Sequence, residues 1–401
     1  MRTERLLAEI TESLGRPVAE PWPAVLSRTP RDAFLPDLFW VRDGNGGYRR
    51  VDRTADPGAW QAAAHSDQPL VTGFTTLGGA QVPLSSASAP STVVRLLEDA
   101  RLRADSRVLE IGTGTGFNAA LMSRRCDRGS VVTLDDVPEL SILAERNLRA
   151  LGLAATVVTA DGTEGYAERG PYSHVVATCA VRSVPSAWLE QTETGGRIVT
   201  PWDSAWLSYG SLVLDKGEDG GAVGRFAAHG SYMLISSQRV AAELDDVLRP
   251  GQVPRAGTST LSPWAVAGDD LDAQFHIGLA VPGAWHSWDT SGEHAAVRLW
   301  LADAAGGSWA SVDWDGQQAA SFDTRQFGPR RLWEEVERAH AWWIAAGQPG
   351  VERYGMDVAN DGRHTSWLDS AETPVPYWRD DSSQREIHWV KDSEGSVRSA
   401  R

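Results

Sequence analysis

The chain has 401 residues, 42% hydrophobic and 23% charged, with 38 basic against 53 acidic side chains and a formal charge of -15. That length exceeds the usual ~100–200 residues of one domain and predicts two folded units, while the acidic balance argues against a phosphate-gripping surface and so against nucleic acid as partner. Two cysteines, Cys126 and Cys179, lie outside any CxxC pair, and nine histidines lack HxxxH or HExxH spacing, which leaves no support for a disulfide framework or a metal site.

In chain order, Thr3 to Leu14 reads as an amphipathic helix without the continuous apolar stretch of a secretory signal. No later run approaches the ~18 apolar residues that span a bilayer, so a cytoplasmic protein without membrane insertion is expected. Arg28 to Trp40 is rich in proline and reads as irregular; residues 1–80 as a whole are expected to form a helical and irregular cap. A helix is predicted over 90–101, with Ser88 or Ser91 available to cap it and Val93, Val94, Leu96 and Leu97 facing inward.

Short β-branched runs then alternate with helical segments: RVLEIG, SVVTLD, ATVVTAD, SHVVATC and GRIVTPW as strands, FNAALMSRRC and PELSILAERNLRALG as helices. Continuous apolar strands separated by helices predict a parallel sheet buried on both faces, an α/β fold of Rossmann-like type with its ligand at the carboxyl ends of the strands. After Pro201 the runs WLSYGSLVLD and AVGRFAAHGSYMLI read as antiparallel strands. Twelve of the eighteen tryptophans lie from Trp264 onward, around a helix in RRLWEEVERAHAWWIAAG. These features predict an α/β domain over 81–240 and a Trp-rich α+β domain over 241–401, ending in a tail, KDSEGSVRSAR, of disordered composition.

The segment Val108 to Gly116, VLEIGTGTG, carries the chemistry. A strand ends at Ile111, and a turn with Gly112, Thr113, Gly114 and Gly116 lets a ligand approach the main chain. A dinucleotide fold would place glycines as GxGxxG, but Phe117 stands at the sixth position; GxGxG is the spacing of S-adenosylmethionine-dependent methyltransferases. Asp135, at the end of the second strand, is placed to accept both ribose hydroxyls of an adenosine. Glu110 is placed to reach the ammonium of the sulfonium amino acid, and Asp161-Gly162 to bind the adenine amino group. Taken singly, the glycine loop also fits a plain βα turn, and Asp135 or Asp161 a helix cap.

From about Arg28 to Pro201 the chain resembles the protein L-isoaspartyl O-methyltransferases. The likeness is carried by LSSASAPSTVV, VLEIGTGTGFNAALM, VVTLDDVPELSILAERNL, ADGTEGY, PYSHVVATCAV and GGRIVTPW. It implies that Ser88 matches the family's catalytic-loop serine and that Ser86 to Ser91 close over the cofactor; where the repair enzymes usually have Pro-His, this chain has Pro90-Ser91. Further on, GPRRLWEEVERAHAWW (Gly328 to Trp343) and ERYGMDVANDGRHTSWLD (Glu352 to Asp369) are similar to the methyltransferases that accompany ATP-grasp ligases in ribosomal peptide (graspetide) maturation. That resemblance implies a modified, cross-linked precursor peptide as partner, one Asp of which is methylated, the ester then cyclising to an aspartimide.

A carboxylate with an ordinary pKa of ~3.9 is ionised at neutral pH, so the reaction needs alignment and exclusion of water rather than a general base. Ser88 is expected to donate a hydrogen bond that orients the carboxylate, or to cap the following helix. Arg182, after the fourth strand, is expected to attract the substrate's carboxylate, or to be a surface arginine. Trp285 and Trp288 are expected to contact peptide, with most other tryptophans in a core. The rival readings are isoaspartyl repair and a non-catalytic cofactor-binding subunit.

Overall fold

In the computed structural model, residues 2–44, 46–77, 79–239, 243–317, 320–378, 389–391 and 397–399 are described. Helices α1 (Arg2–Leu14) and α2 (Trp22–Ser27) lead into a four-stranded antiparallel sheet built from β1 (Leu38–Arg42), β2 (Tyr48–Asp52), β3 (Leu70–Leu77) and β4 (Ala80–Ala87), in the order β2-β1-β3-β4, with α3 (Pro57–Ala64) between β2 and β3. The sequence reading of residues 28–40 as irregular is corrected at its end, because Leu38–Arg42 is a paired strand. Phe39, Val41 and Val51 turn inward onto Trp60 and Leu70 on alternate positions, a period too short to stand out among the surrounding prolines.

The main sheet has nine strands. Its parallel half comprises β5 (Arg107–Ile111), β6 (Ser130–Asp135), β7 (Thr156–Thr159), β8 (Tyr172–Ala177) and β9 (Thr192–Ser204), joined by α4 (Pro90–Ala100) and by α5 (Phe117–Arg125), α6 (Pro138–Ala150) and α7 (Ser186–Gln191). The spatial order β7-β6-β5-β8-β9 reverses direction of winding between β5 and β8, which opens a crevice at the carboxyl ends of those strands. Antiparallel strands β10 (Leu207–Lys216) and β11 (Ala222–Ala227) continue the sheet. The run expected to be strand through Ile235 leaves the sheet at Ala227. Beyond it, Met233 and Ile235 bond the main chain of Ala180 instead, Ala180 N donating to Met233 O and Ile235 N to Ala180 O, both at 2.9 Å.

The remaining residues add α8 (Leu244–Val247), β12 (Arg255–Ser259), α9 (Trp264–Ala267), α10 (Leu271–Ala280), β13 (Ala284–Asp289), β14 (Val297–Asp303), β15 (Trp309–Trp314), β16 (Phe322–Phe327) and α11 (Leu332–Ala345). The strands β12 to β16 form one antiparallel sheet, β12-β16-β15-β14-β13. The chain then returns: β17 (Tyr354–Val358) pairs with β11 and β18 (His364–Leu368) with β17, completing the nine-stranded sheet. A single apolar core joins Leu109 and Val175 of the parallel strands to Phe275, Leu301, Val336 and Met356. The expected boundary near residue 241 therefore cuts a sheet whose outer strands come from 354–368. Alternation identifies those strands but not which sheet edge they cover. In the tail, a three-residue strand at 397–399 pairs with 389–391, where disorder was expected. Among the described residues, no helix is long and apolar enough to cross a membrane, and no group of three potential ligands is arranged to hold a metal.

Candidate active site at the carboxyl ends of the parallel strands

The turn after β5 is shaped by glycines that no other residue replaces without strain. Gly112, Gly114 and Gly116 have φ of +94°, +53° and +91°, a region that L side chains rarely enter. A Cβ on Gly112 would lie 2.5 Å from Thr178 Oγ1, and one on Gly116 3.2 Å from Ala144 Cβ, so both glycines serve close packing. Gly114 differs. Its Cβ would meet only Ser85 Oγ at 4.0 Å, and the space beside it belongs to the crevice.

Asp135 ties this turn to the loop after β6. Its Oδ2 accepts from Gly114 N at 2.8 Å and its Oδ1 from Val137 N at 3.1 Å. Burial pushes its pKa up to about 6, against the pull of those two N–H donors. Glu110 lies deeper. Fully buried, it accepts from Thr133 Oγ1 at 2.6 Å and from Asn118 Nδ2 at 2.8 Å, and burial raises it to about 8. The expectation that Glu110 itself meets a ligand's ammonium finds Asn118 in between: Asn118 lines the crevice, and its buried Oδ1 has no partner. Thr113 also lines the crevice and shares a 2.6 Å hydrogen bond with Thr133, so Glu110 anchors two residues of the wall. Asp161 accepts from Thr163 N at 3.0 Å and Thr163 Oγ1 at 2.8 Å as the cap of a short turn, leaving Gly162 as the wall residue at this strand end.

Two connected spaces flank the turn. The smaller, about 100 Å³, is bounded by Asp135, Asp136, Val137, Gly162, Ile235 and Arg239; the larger, about 420 Å³, by Ser88, Thr113, Asn118, Asp203, Tyr232 and others. Ser86, Gly112, Gly114, Thr178 and Met233 border both. Among the described residues, no tryptophan bounds either space. Trp288 instead donates through Nε1 to Ala267 O at 3.0 Å and stacks on Trp264, and Trp285 packs against the Trp300 and Trp309 cluster.

Ser86 and Ser88 reach the crevice because β4 ends at Ala87 and the chain turns into α4. The cap of α4 is not a serine of this segment: Ala89 occupies the position without a side-chain bond, and the Asp67 carboxylate accepts from Ser91 N at 2.7 Å. The loop is held by Arg31, almost fully buried, whose guanidinium donates to the carbonyls of Ser66, Gln68, Ala87 and Ser88 at 2.9, 2.9, 3.1 and 3.0 Å. Arg182 is not among the wall residues; its Nε donates to Asp203 Oδ1 at 2.5 Å, so it neutralises a carboxylate of the wall. Sequence reasoning missed Arg31, Asn118, Asp203 and the 231–235 wall. Asn118 is the second residue of the helix that follows the glycines, a local signal; Arg31 bonds carbonyls of distant segments, which leave no trace in sequence.

A parallel sheet with a glycine turn after its first strand, an acidic side chain ending the second, and a crevice at the winding reversal defines a class I S-adenosylmethionine-dependent methyltransferase fold. A solved protein-L-isoaspartate O-methyltransferase superposes with a TM-score of 0.52 at 21% identity, over 92% of this chain and 100% of that one. The family model for protein-L-isoaspartate(D-aspartate) O-methyltransferase matches residues 48–239. Curated enzymes named protein-L-isoaspartate O-methyltransferase are similar: from Pyrococcus horikoshii at 35% identity (43% of this chain, 73% of that one), from Pyrococcus abyssi at 34% (50% and 88%), and from Methanothrix thermoacetophila at 31% (55% and 88%). The chain belongs to the protein-L-isoaspartate(D-aspartate) O-methyltransferase family, a family of S-adenosylmethionine-dependent carboxyl methyltransferases.

Proposed function

We propose that this chain methylates the side-chain carboxylate of an Asp in a ribosomally made, cross-linked peptide, and that the ester then closes to an aspartimide. The observation that carries the methyl-transfer chemistry is the crevice itself: a serine-bearing segment, rigidly held by Arg31, faces the glycine turn across a space large enough for a peptide side chain. What supports an encoded peptide over damaged proteins at large is the likeness of 328–343 and 352–369 to the methyltransferases of graspetide maturation. Those segments form α11 and the β17–β18 pair that extends the catalytic sheet.

The residues present fit S-adenosylmethionine. Gly114 leaves open space where a side chain would intrude, Asn118 Oδ1 offers an unused buried acceptor to an ammonium, and Asp135 offers its remaining lone pairs to ribose hydroxyls. When bound, it supplies an electrophilic methyl group. Ser86 and Ser88 would hold the acceptor carboxylate by donating hydrogen bonds, while Phe117, Tyr232 and Met233 shed water from it. Alignment of an already ionised nucleophile carries most of the rate. In the ester, the following residue's amide nitrogen attacks the carbonyl carbon, its proton leaves with methoxide as methanol, and a five-membered imide remains.

Isoaspartyl repair is the second reading, favoured by the family match over 48–239 and by the relatives' names. The two separate on substrate. Radiolabelled methyl transfer to short isoaspartyl peptides would establish repair, whereas transfer only to a cross-linked peptide, followed by loss of methanol in mass spectrometry, establishes tailoring. A stable ester that never loses methanol would refute imide closure. A short precursor gene and an ATP-grasp ligase gene beside this one are expected under tailoring.

A further inference from the structure

The substrate of a carboxyl methyltransferase is an anion, yet this protein carries a formal charge of -15. Its overall field repels what it must bind, so a local cation has to hold the approaching peptide. Among the described residues, only two charged side chains, Arg42 and Asp203, border the larger space, and Asp203 is already matched by Arg182. Arg42 is exposed at the end of β1, opposite Tyr48 in the strand register, with its guanidinium 5.6 Å from the Tyr48 ring centroid. Among the described residues it has no carboxylate partner.

Its setting is built for a flanking group rather than for the acceptor. One face of the small sheet is buried through Phe39, Val41 and Val51. On the other, Trp40 and Tyr48 meet Phe74 edge-on at 5.1 and 5.2 Å, forming a half-buried aromatic floor on which Arg42 rests. A guanidinium held on an aromatic ring loses little freedom on pairing and keeps its planar fork free for a carboxylate. Ser86 and Ser88, by contrast, are partly buried beside the glycine turn.

We infer that Arg42 is a specificity-determining residue that pairs with a second carboxylate of the peptide, next to the one methylated, so that the enzyme selects acceptors with an acidic neighbour. The inference rests on the methyltransferase reading above, and its test separates the two. Fluorescent peptides, each with one acceptor beside Glu, Gln or Lys, the acceptor being an isoaspartyl residue in a linear hexapeptide or an Asp in a side-chain-cross-linked peptide, are titrated against the full chain with S-adenosylhomocysteine and read by anisotropy. The same peptides are then assayed with radiolabelled methyl donor. Wild type is expected to prefer Glu over Gln by about tenfold and Glu over Lys by more, with the preference shrinking at high salt. Arg42→Gln abolishes the ranking and Arg42→Glu reverses it, while circular dichroism shows both folded. Binding that is equal across the three neighbours, or absent for all, overturns the inference, as does a ranking that survives in Arg42→Gln. If the ranking holds but neither acceptor gains methyl, the acceptor assignment fails and Arg42 stands; if methyl enters with a flat ranking, the reverse is true.

Discussion

Glu110→Gln replaces a fully buried carboxyl with an amide of the same shape, and the surroundings of Glu110 set the size of the effect. Burial raises its pKa from 4.5 to about 8, outweighing the stabilisation of the charged form by Thr133 and Asn118. The folded chain therefore binds this proton more tightly than the unfolded chain. Its contribution to stability is complete below pH 4.5, declines as pH rises through the window to about 8, and is flat above. His174, His276 and His286, each lowered from 6.5 to about 4 by burial, act in the opposite sense, as do His340 and His364, and because a free imidazole is still half protonated at pH 6.5 their gain continues above that pH. Asp135, raised to about 6 by burial, adds a small further loss just above that pH. These terms are common to wild type and Glu110→Gln, so the difference between the two isolates Glu110, and at ~1.36 kcal/mol per pH unit, tapering near pH 8, that difference falls by about 1.5–2 kcal/mol between pH 6.5 and 8. Urea unfolding followed by tryptophan fluorescence at half-unit steps across that interval should show wild-type stability falling relative to that of Glu110→Gln. Parallel slopes in the two proteins would refute the reasoning.

Asp135→Asn keeps one of the two backbone bonds but removes the charge, and S-adenosylhomocysteine affinity by calorimetry should fall roughly 10- to 100-fold, the range of charge-assisted hydrogen bonds. Gly112→Ala forces a side chain into positive φ and onto Thr178 Oγ1; a loss of about 2–3 kcal/mol is expected, partly recovered in the Thr178→Ala double variant. If the double variant recovers nothing, the contact with Thr178 is not the cause. Arg31→Lys cannot reproduce a fork that reaches the carbonyls of Ser66, Gln68, Ala87 and Ser88, so thermal unfolding should report about 2–4 kcal/mol of lost stability. Peptide methylation should fall further than S-adenosylhomocysteine affinity, because the loop that loosens carries Ser88.

The parallel half of the main sheet was legible residue by residue. SVVTLD became β6 at the expected bounds and PELSILAERNLRALG became α6, ending two residues early at Ala150, since buried parallel strands are continuous apolar runs and helices repeat every 3.6 residues. The glycine turn and Asp135 were legible for the same reason: both are local, fixed by backbone conformation and by position at a strand end. Tertiary structure alone decided what depends on partners distant in sequence. Glu110 was readable as an acid near the turn, but only its burial against Thr133 and Asn118 makes it an anchor of the wall. Arg182 faces Asp203 and not the crevice, Asp67 rather than a nearby serine caps α4, and residues 354–368 cross back to the edge of β11. Spacing along a chain specifies which way a side chain turns and how tightly its own backbone bends. It carries no record of which far segment arrives to meet it, because that choice is made by the competition of whole surfaces for burial.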